Sequence, residues 1–495
     1  MVGEMSILFA QSSDTEDCIK YDSLQKLIHI SCKSIHLNDI YKSIKNSSIL
    51  GIENNTGINA SKSDGKVWIL NAGITIENKG ELVIDSADTS WLKMVPTPTI
   101  QKNGQTGLSG DENNDDDTND DNQDVNAISY SLLQTKKNDS DSSYNKEQKP
   151  IVVNKNNGDS PNGIHVFGSL KIDSVKITSW DPEKKQVITF DLGKRPGEEL
   201  TKSSYDTVVA RPFIRVSNEA SGITNITNSE IAYLGYSCSR CSGISYYGGI
   251  GSIVKGNNIH HLLKGFYSKG MGPMVVENNT IHDNYLYGID PHTGTHDMII
   301  RNNKLYGNNA SAIICSKHCY NILFEGNEVY KNGGDNRGIA LSINTTHSIA
   351  RNNYVHDQIS CIGSNSASNF NTIEDNVFSN CKVGVNLADT SNNIIDNNRI
   401  IGGEVAIILR DINNKIFNNK IENTTNGIVY IKEITANQKT NHQQIEQVNS
   451  NATLNNLTAV NEMTGVKNPV VVNDTHFTSE NDSQNTGSDT LTRQN

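Results

Sequence analysis

The fold is decided by a hexapeptide that returns along the middle of the chain, as in Val254-Lys-Gly-Asn-Asn-Ile259, Val276-Glu-Asn-Asn-Thr-Ile281 and Ile300-Arg-Asn-Asn-Lys-Leu305. Each copy begins and ends with an apolar residue and has Asn-Asn, or a Gly or Asp variant of it, in the centre. The further copies are Phe324-Glu-Gly-Asn-Glu-Val329, Ala350-Arg-Asn-Asn-Tyr-Val355, Ile373-Glu-Asp-Asn-Val-Phe378, Ile395-Asp-Asn-Asn-Arg-Ile400 and Ile416-Phe-Asn-Asn-Lys-Ile421. The third residues of the eight copies follow one another at intervals of 22, 24, 24, 26, 23, 22 and 21 residues. A regular internal repeat of this kind predicts a solenoid.

The composition of the repeat favours strands over helices. β-branched residues occur in short apolar runs, and the many Asn residues lower the helix propensity of every unit. One coil of a parallel β-helix has about this length, and Asn side chains at the same turn of successive coils can form a hydrogen-bonded ladder. We therefore predict an all-β fold, a right-handed parallel β-helix.

Changes in composition divide the chain into five segments. Residues 1–64 form an N-terminal segment of uncertain structure, with a weak helical pattern around Leu24 to Ile44. Residues 65–100 are predicted to start the β-helix, and residues 101–160 form a disordered insert because acidic runs replace apolar residues there. The main β-helix domain is predicted for residues 161–435. Residues 436–495 are polar and rich in Asn, Thr, Ser and Gln, which predicts a disordered tail.

The charge of the chain limits its partners. The formal net charge of the 495 residues is −12, and the sequence contains no basic stripe, which argues against nucleic acid as a partner. An acidic substrate would be repelled by the chain as a whole, so it would need a local cluster of Lys or Arg. The sequence gives no indication of the oligomeric state.

Two features bear on the location of the protein. No stretch approaches the roughly 18 apolar residues of a membrane span. The segment from Met5 to Gln11 reads like the end of a signal peptide whose basic and apolar parts are missing. We therefore expect an extracellular or cell-envelope protein, secreted with a truncated signal peptide, with a cytosolic protein as the alternative.

The eight cysteines suit disulfides or buried thiols better than a metal site. Cys238-Ser-Arg-Cys241 could form half of a zinc site, but no second pair follows at the spacing of metal ligands. No metal site is predicted.

The strongest interruption of the repeat is Tyr287-Gly-Ile-Asp-Pro-His292. In a strand, Asp290 and His292 point to the same side because side chains alternate. The intervening proline removes a backbone donor from a parallel sheet, which is costly in a central strand. A chain that retains proline between two ionisable residues is a candidate for a functional site.

Aligning the hexapeptides brings further polar residues to this segment. Tyr267 is expected beside Asp290 and Lys269 beside His292 in the preceding coil, while Lys317 follows in the next coil. Since stacked coils lie about 4.8 Å apart, these side chains are expected to form one patch with a local positive charge. The alternative is an ordinary turn with a solvated histidine and surface lysines.

The same segment resembles the DPH motif of the mannuronan C5-epimerases, especially the periplasmic enzymes of alginate-producing bacteria. Other stretches resemble that family in the same order: Ser179-Trp180-Asp-Pro, Arg211-Pro-Phe213, Ile231-Ala-Tyr-Leu-Gly-Tyr236, Gly265-Phe-Tyr267 and Ile313-Ile-Cys-Ser-Lys317. The resemblance covers roughly residues 65–430 apart from the acidic insert. It implies a β-helix with a shallow groove that holds an anionic polysaccharide.

The resemblance also implies roles for individual residues. His292 matches the catalytic base of the family and Asp290 its DPH aspartate, while Tyr287 matches a tyrosine that transfers a proton. Lys317 stands where the periplasmic enzymes have an arginine that neutralises the substrate carboxylate, so charge neutralisation is expected without bidentate binding. The expected substrate-binding residues are Tyr267, Lys269 and Lys264. No cofactor is expected, and calcium dependence stays open.

The chemistry required of such a site is consistent with these residue types. The C5 proton of a uronate is very weakly acidic, so its removal needs a base and a cation that stabilises the developing charge. His292 suits the base if Asp290 orients its ring. Two alternatives remain: a polysaccharide lyase acting on a uronan, which shares the proton abstraction, and a non-catalytic carbohydrate-binding or surface β-helix protein.

Overall fold

A computed structural model describes residues 18–53, 65–96, 163–189, 210–236, 240–333, 337–411, 413–434 and 460–476. Over these residues the chain winds into a parallel β-helix, in which successive coils contribute strands to three long sheets. This architecture confirms the predicted fold class. The predicted acidic insert, residues 101–160, lies outside the described residues.

Sheet 1 contains the strand of the DPH segment. Within the described residues its strands, in spatial order, are Ile19–Asp22, Leu27–Ile30, Gly73–Ile76, Gly163–Val166, Phe213–Val216, Gly243–Tyr246, Lys264–Lys269, Ile289–His292, Ile313–Cys315, Arg337–Leu341, Ser360–Ser364, Val383–Leu387, Val405–Leu409, Asn426–Ile434 and Asn468–His476. All neighbours pair in parallel except the first two, which are antiparallel.

Sheets 2 and 3 complete each coil. The strands described in sheet 2 are Ile35–His36, Glu81–Asp85, Ser169–Asp173, Thr224–Thr227, Ile253–Lys255, Met274–Glu277, Met298–Arg301, Leu323–Glu325, Ile349–Arg351, Thr372–Glu374, Ile394–Asp396 and Lys415–Phe417. Those described in sheet 3 are Leu50–Ile52, Lys66–Leu70, Thr89–Met94, Lys176–Ser179, Glu230–Ala232, Asn258–His260, Thr280–His282, Lys304–Tyr306, Glu328–Tyr330, Tyr354–His356, Val377–Ser379, Arg399–Ile401, Lys420–Glu422 and Glu462–Thr464.

The two apolar ends of each hexapeptide form the core. In the Ile300 to Leu305 copy, Ile300 lies in sheet 2 and Leu305 in sheet 3, and both are fully buried. The same two positions stack in register from coil to coil, as Ile300 does on Phe324. One continuous apolar core therefore runs along the helix axis.

The two central residues of the hexapeptide have different tasks. The third residue has a positive φ in all eight copies, between 52° and 68°, which explains the restriction to Asn, Asp and Gly. The fourth residue is a buried Asn whose side-chain amide donates to the Asn of the next coil at 2.9–3.1 Å. The ladder runs through Asn257, Asn279, Asn303, Asn327, Asn353, Asn376, Asn398, Asn419 and Asn461. The predicted Asn ladder is confirmed.

The β-helix begins earlier than the predicted residue 65. Leu27–Ile30 pairs in parallel with Gly73–Ile76, so the first coil belongs to the segment whose structure was left uncertain. Among the described residues of that segment, the helix runs over Leu37–Ile44. The sequence did not predict this coil because the hexapeptide with Asn-Asn does not occur in it.

The prediction of a disordered tail from residue 436 is wrong for residues 460–476. Glu462–Thr464 extends sheet 3 and Asn468–His476 extends sheet 1, both in parallel pairing. Asn461 supplies the last member of the Asn ladder, at 3.0 Å from Asn419. The sequence did not predict this coil because its composition is polar. A coil that stacks on an existing core needs only a few apolar residues to continue it.

The described cysteines form disulfides and buried thiols, as expected. Disulfides join Cys18 to Cys32 and Cys361 to Cys381. Cys315 and Cys319 are buried thiols, and burial raises the pKa of Cys315 well above its ordinary value. None of the described helices has the length and hydropathy needed to cross a membrane.

Candidate active site

The DPH segment lies in the middle of sheet 1, in the strand Ile289–His292. Its register on the preceding strand sets Tyr267 beside Asp290 and Lys269 beside His292, as predicted from the aligned hexapeptides. Gly288 precedes the strand because no side chain fits there: a Cβ atom would lie 2.6 Å from the carbonyl oxygen of Ala312. The glycine lets the coils approach closely beside the two ionisable residues.

Asp290 is fully buried and held on both sides. Lys264 Nζ lies 2.9 Å from Asp290 Oδ2, and the Ser316 hydroxyl donates to Asp290 Oδ1 at 2.7 Å. The expected contact of Asp290 with the ring of His292 is replaced by these two partners. The three residues come from three successive coils, so this ion pair can form only in the wound β-helix.

Lys264 is the centre of the cluster. Besides its contact with Asp290, its ammonium lies 4.6 Å from the ring centre of Tyr267 and 5.6 Å from that of Tyr287. Lys264 is 7% exposed, and its charge is directed to Asp290 and the two rings. The geometry thus makes it a partner of Asp290, whereas the sequence suggested a direct contact with substrate.

His292 lies at the other end of the cluster. Its Nδ1 is 2.6 Å from the hydroxyl oxygen of Thr293, and its ring centre is 5.6 Å from that of Tyr267. Tyr287 lies at the opposite end, packed against Ala310, Ile314 and Ala340. The histidine and Tyr287 therefore lie at the two ends of the DPH segment, on either side of the Asp290–Lys264 ion pair.

Lys269 and Lys317 lie on the coils that flank His292. Lys269 pairs with His292 at the end of its strand and is half-buried. Lys317 follows Ser316, whose backbone N–H donates to the Pro291 carbonyl at 3.0 Å, and it is also half-buried. The carbonyl of Lys317 accepts from Gly294 N–H at 3.0 Å, which fixes this turn to the coil of the DPH segment. The structure thus brings the predicted residues together on one face.

Three residues of this face were not assigned a role from the sequence. Ser316 and Thr293 hold Asp290 and His292, and Arg337 lies on the same sheet further along. Ser316 could have been found from the alignment of the coils, because it falls next to His292. Thr293 and Arg337 lie outside the quoted motifs, and no pattern in the sequence distinguishes them from surface residues.

No metal site is found among the described residues, since no group of three or more His, Cys, Asp or Glu side chains converges there.

The fold and the site define a β-helix protein with a cationic and carboxylate cluster on one sheet. The family described as "Right handed beta helix region" matches residues 209–355, which include the DPH coil. The chain is a right-handed parallel β-helix protein, as predicted.

Two curated proteins are similar in sequence to part of this chain. The mannuronan C5-epimerase of Pseudomonas aeruginosa is 30% identical over 141 residues, covering 26% of this chain and 23% of the relative. The mannuronan C5-epimerase of Pseudomonas fluorescens is 27% identical over 143 residues, covering 26% and 24%. Over this region the chain is similar to mannuronan C5-epimerases, and the matched region spans about a quarter of the length of these relatives.

A solved structure extends the likeness of the fold beyond that region. The crystal structure of the periplasmic alginate epimerase AlgG aligns over 91% of this chain and 85% of that chain, with a TM-score of 0.51 and 16% identity. At this identity the alignment bears on the fold alone.

Proposed function

We propose that this protein is a polysaccharide C5-epimerase that converts β-D-mannuronate residues of an alginate-like polyuronate into α-L-guluronate. The observation that carries the proposal is the buried Lys264–Asp290 ion pair between His292 and Tyr287 on sheet 1. The relation to mannuronan C5-epimerases supports the choice of reaction and substrate class.

The position of the ion pair suits an anionic substrate. An uncompensated carboxylate at Asp290 would repel the uronate that lies over the strand. The ammonium of Lys264 and the hydroxyl of Ser316 compensate that charge at 2.9 and 2.7 Å. Lys317 and Lys269, on either side of His292, add the positive charge that a polyuronate requires.

In the proposed reaction His292 removes the C5 proton. To accept it at Nε2 the ring must be neutral and carry its hydrogen on Nδ1, which then donates to the Thr293 hydroxyl 2.6 Å away. Lys317 stabilises the charge that develops on the substrate carboxylate. Epimerisation also requires a proton from the opposite face of the sugar, and Tyr287, at the other end of the cluster, is the proposed donor.

We further propose that the protein acts in the cell envelope or outside the cell. The disulfides Cys18–Cys32 and Cys361–Cys381 suit an oxidising compartment. The structural neighbour AlgG is a periplasmic enzyme.

The function is tested by proton NMR of polymannuronate incubated with the protein in deuterium oxide. We expect guluronate signals and deuterium at C5, and both should be lost in His292→Ala because the base is missing. Ultraviolet absorbance of an unsaturated product would indicate a lyase instead.

The matched control is His347→Ala, which removes an exposed histidine that stacks on Phe370 away from the cluster. This variant should keep the activity of the unmodified protein. C5 exchange that persists in a folded His292→Ala protein would exclude His292 as the base.

A further inference from the structure

The outer face of sheet 2 carries a column of aliphatic side chains that the candidate active site does not use. One outward position is aliphatic in five successive coils, and its residues are Ile253, Val275, Ile299, Leu323 and Ile349. The column continues through Thr372 and Ile394. All seven side chains are only half-buried, whereas the core residues beside them in the same strands are buried. An aliphatic column about 30 Å long on an outer sheet face is typical of a contact surface.

A charged column runs beside the aliphatic column, two residues further along each strand. The sign of the charge alternates over six successive coils, through Lys255, Glu277, Arg301, Glu325, Arg351 and Glu374. Neighbours in this column form ion pairs, as Arg301 does with Glu277 at 2.6 Å and Arg351 with Glu325 at 2.8 Å. The positive and negative charges of the column cancel. This face can therefore approach another surface of an acidic chain without net repulsion.

The two columns favour one way of packing two copies of this face. Sheets that pack face to face keep their strands nearly aligned. A two-fold axis along the strand direction sets each column opposite its own equivalent and reverses the order of the coils. The aliphatic column of one copy then lies on that of the other. A two-fold axis along the helix would leave the charged column with no oppositely charged column to face.

The alternation of charge also selects the register of the two copies. With the two-fold axis between the coils of Arg301 and Glu325, these two residues face each other across the contact. Glu277 then faces Arg351, and the two residues at the ends of the charged column are also opposite in sign. Moving the axis onto the coil of Arg301 would set Arg301 against its own equivalent and Glu277 against Glu325. Like charges would then meet, which disfavours that register.

We propose that the outer face of sheet 2 binds the same face of a second copy of this chain, with the two helices antiparallel. At the centre of the contact, Ile299 of one copy packs on Leu323 of the other. Seven coils and about five residues of strand give a contact of roughly 1,100 Å² over both copies, near the lower limit for a specific interface. The dimer is therefore reversible and dissociates in dilute solution. Sheet 1 lies outside the contact, so the candidate active site of each copy stays open.

Sedimentation velocity of the full chain, at protein concentrations from about 1 to about 100 µM, tests the proposal. We expect the unmodified protein to shift from monomer to dimer as the concentration rises. Ile299→Asp should raise the dimer Kd at least about tenfold, because it places a carboxylate without a partner at the centre of the contact. The matched control is Val377→Asp, at a half-buried aliphatic residue on the outer face of sheet 3, which should dimerise like the unmodified protein.

Two charge variants test the register. Arg301→Glu places a carboxylate opposite Glu325, and Glu325→Arg places a guanidinium opposite Arg301, so each variant alone should lose at least about tenfold in affinity for itself. In a mixture of the two variants every changed charge faces one of opposite sign, so the mixed dimer should form with a Kd within about threefold of that of the unmodified protein. Arg399→Glu, which makes the same change on the outer face of sheet 3, is the control and should dimerise normally.

Three results would overturn the proposal. A protein that stays monomeric over the whole concentration range would leave this face to another segment of the chain or to a different protein. A dimer that Ile299→Asp does not weaken would place the contact elsewhere. A mixture of the two charge variants that stays monomeric, while the unmodified protein dimerises, would exclude the antiparallel register. Thermal unfolding of each variant checks that the β-helix is intact.

Discussion

Asp290 lies in the interior of the candidate site, and each of its carboxylate oxygens has a partner. The ammonium of Lys264 and the hydroxyl of Ser316 reach it from the preceding and the following coil. Removing one partner of a buried ion pair costs about 3–5 kcal/mol, because the other charge remains without compensation. Lys264 is therefore the residue that compensates the charge of Asp290.

We expect Lys264→Met to lower kcat more than tenfold. Without the ammonium, the buried carboxylate of Asp290 loses its charged partner, and the site loses a fixed positive charge. The measurement is kcat, alongside the free energy of unfolding.

Two further variants distinguish positioning from stability. Lys264→Arg keeps the charge and should recover part of kcat, whereas Lys264→Met/Asp290→Asn should recover stability but not activity. If kcat of Lys264→Met equals that of the unmodified protein, the ion pair has no part in catalysis.

The hexapeptide is the element that sets the geometry of every coil. Its third residue turns the chain with a positive φ, and its fourth residue satisfies backbone groups inside the turn. Asn327 donates to the Ile300 carbonyl at 2.9 Å and to Asn353 Oδ1 at 3.0 Å, and it accepts from the backbone and side chain of Asn303. Each ladder residue therefore joins three coils.

Replacing Asn327 by alanine should lower the free energy of unfolding by about 2–4 kcal/mol, since several buried polar groups lose a partner. Urea unfolding followed by circular dichroism measures the loss. Asn352→Gly, at a third position with a φ of 56° and an exposed side chain, is the control and should change stability by less than about 1 kcal/mol. Equal losses in the two variants would contradict the separate tasks of the two positions.

At the scale of the whole molecule, the three sheets carry different side chains on their outer faces. Sheet 1 carries the candidate active site, while sheet 3 carries a stack of rings with centres 4.9–5.2 Å apart. The stack consists of His260, His282, Tyr306, Tyr330 and His356. Acidic side chains contact its histidines, as Glu230 contacts His260 at 3.4 Å. We infer that sheet 3 contributes to stability, independently of the site.

Glu230 makes this contribution dependent on pH. Its hydrogen bond with His260, assisted by Lys176 and opposed by burial, lowers the pKa of Glu230 from 4.5 to about 2. A lowered pKa in the folded state stabilises the protein above pH 4.5, and this stabilisation is lost as the pH falls towards 2. The effect is modest, since about a third of the side chain is exposed.

Comparing the unmodified protein with Glu230→Gln in urea unfolding at pH 5, 3.5 and 2.5 tests this expectation. The advantage of the unmodified protein should shrink steadily as the pH falls. Glu374→Gln, on the outer face of sheet 2, is the control for a general effect of net charge. An advantage that is the same at pH 5 and pH 2.5 would exclude Glu230 as the source.

The sequence by itself determined the parts of the protein that repeat. The interval of the hexapeptides predicts the coils, and aligning those coils predicts Tyr267 beside Asp290 and Lys269 beside His292. This works because a parallel strand alternates its side chains and stacks at a fixed distance, so the local pattern is also the pattern in space. The DPH motif and the family it resembles then indicated the same strand.

Only the tertiary structure decided which charges meet. Lys264 reaches Asp290 in the next coil, Thr293 contacts His292 in place of that carboxylate, and Arg337 lies across Gly363. The coils at Leu27–Ile30 and Asn468–His476 also became visible only in the structure. These features depend on side-chain rotamers and on packing between coils, and no periodic pattern in the sequence predicts them. A flexible side chain can reach several neighbouring residues, and only the packing of the folded protein selects one of them.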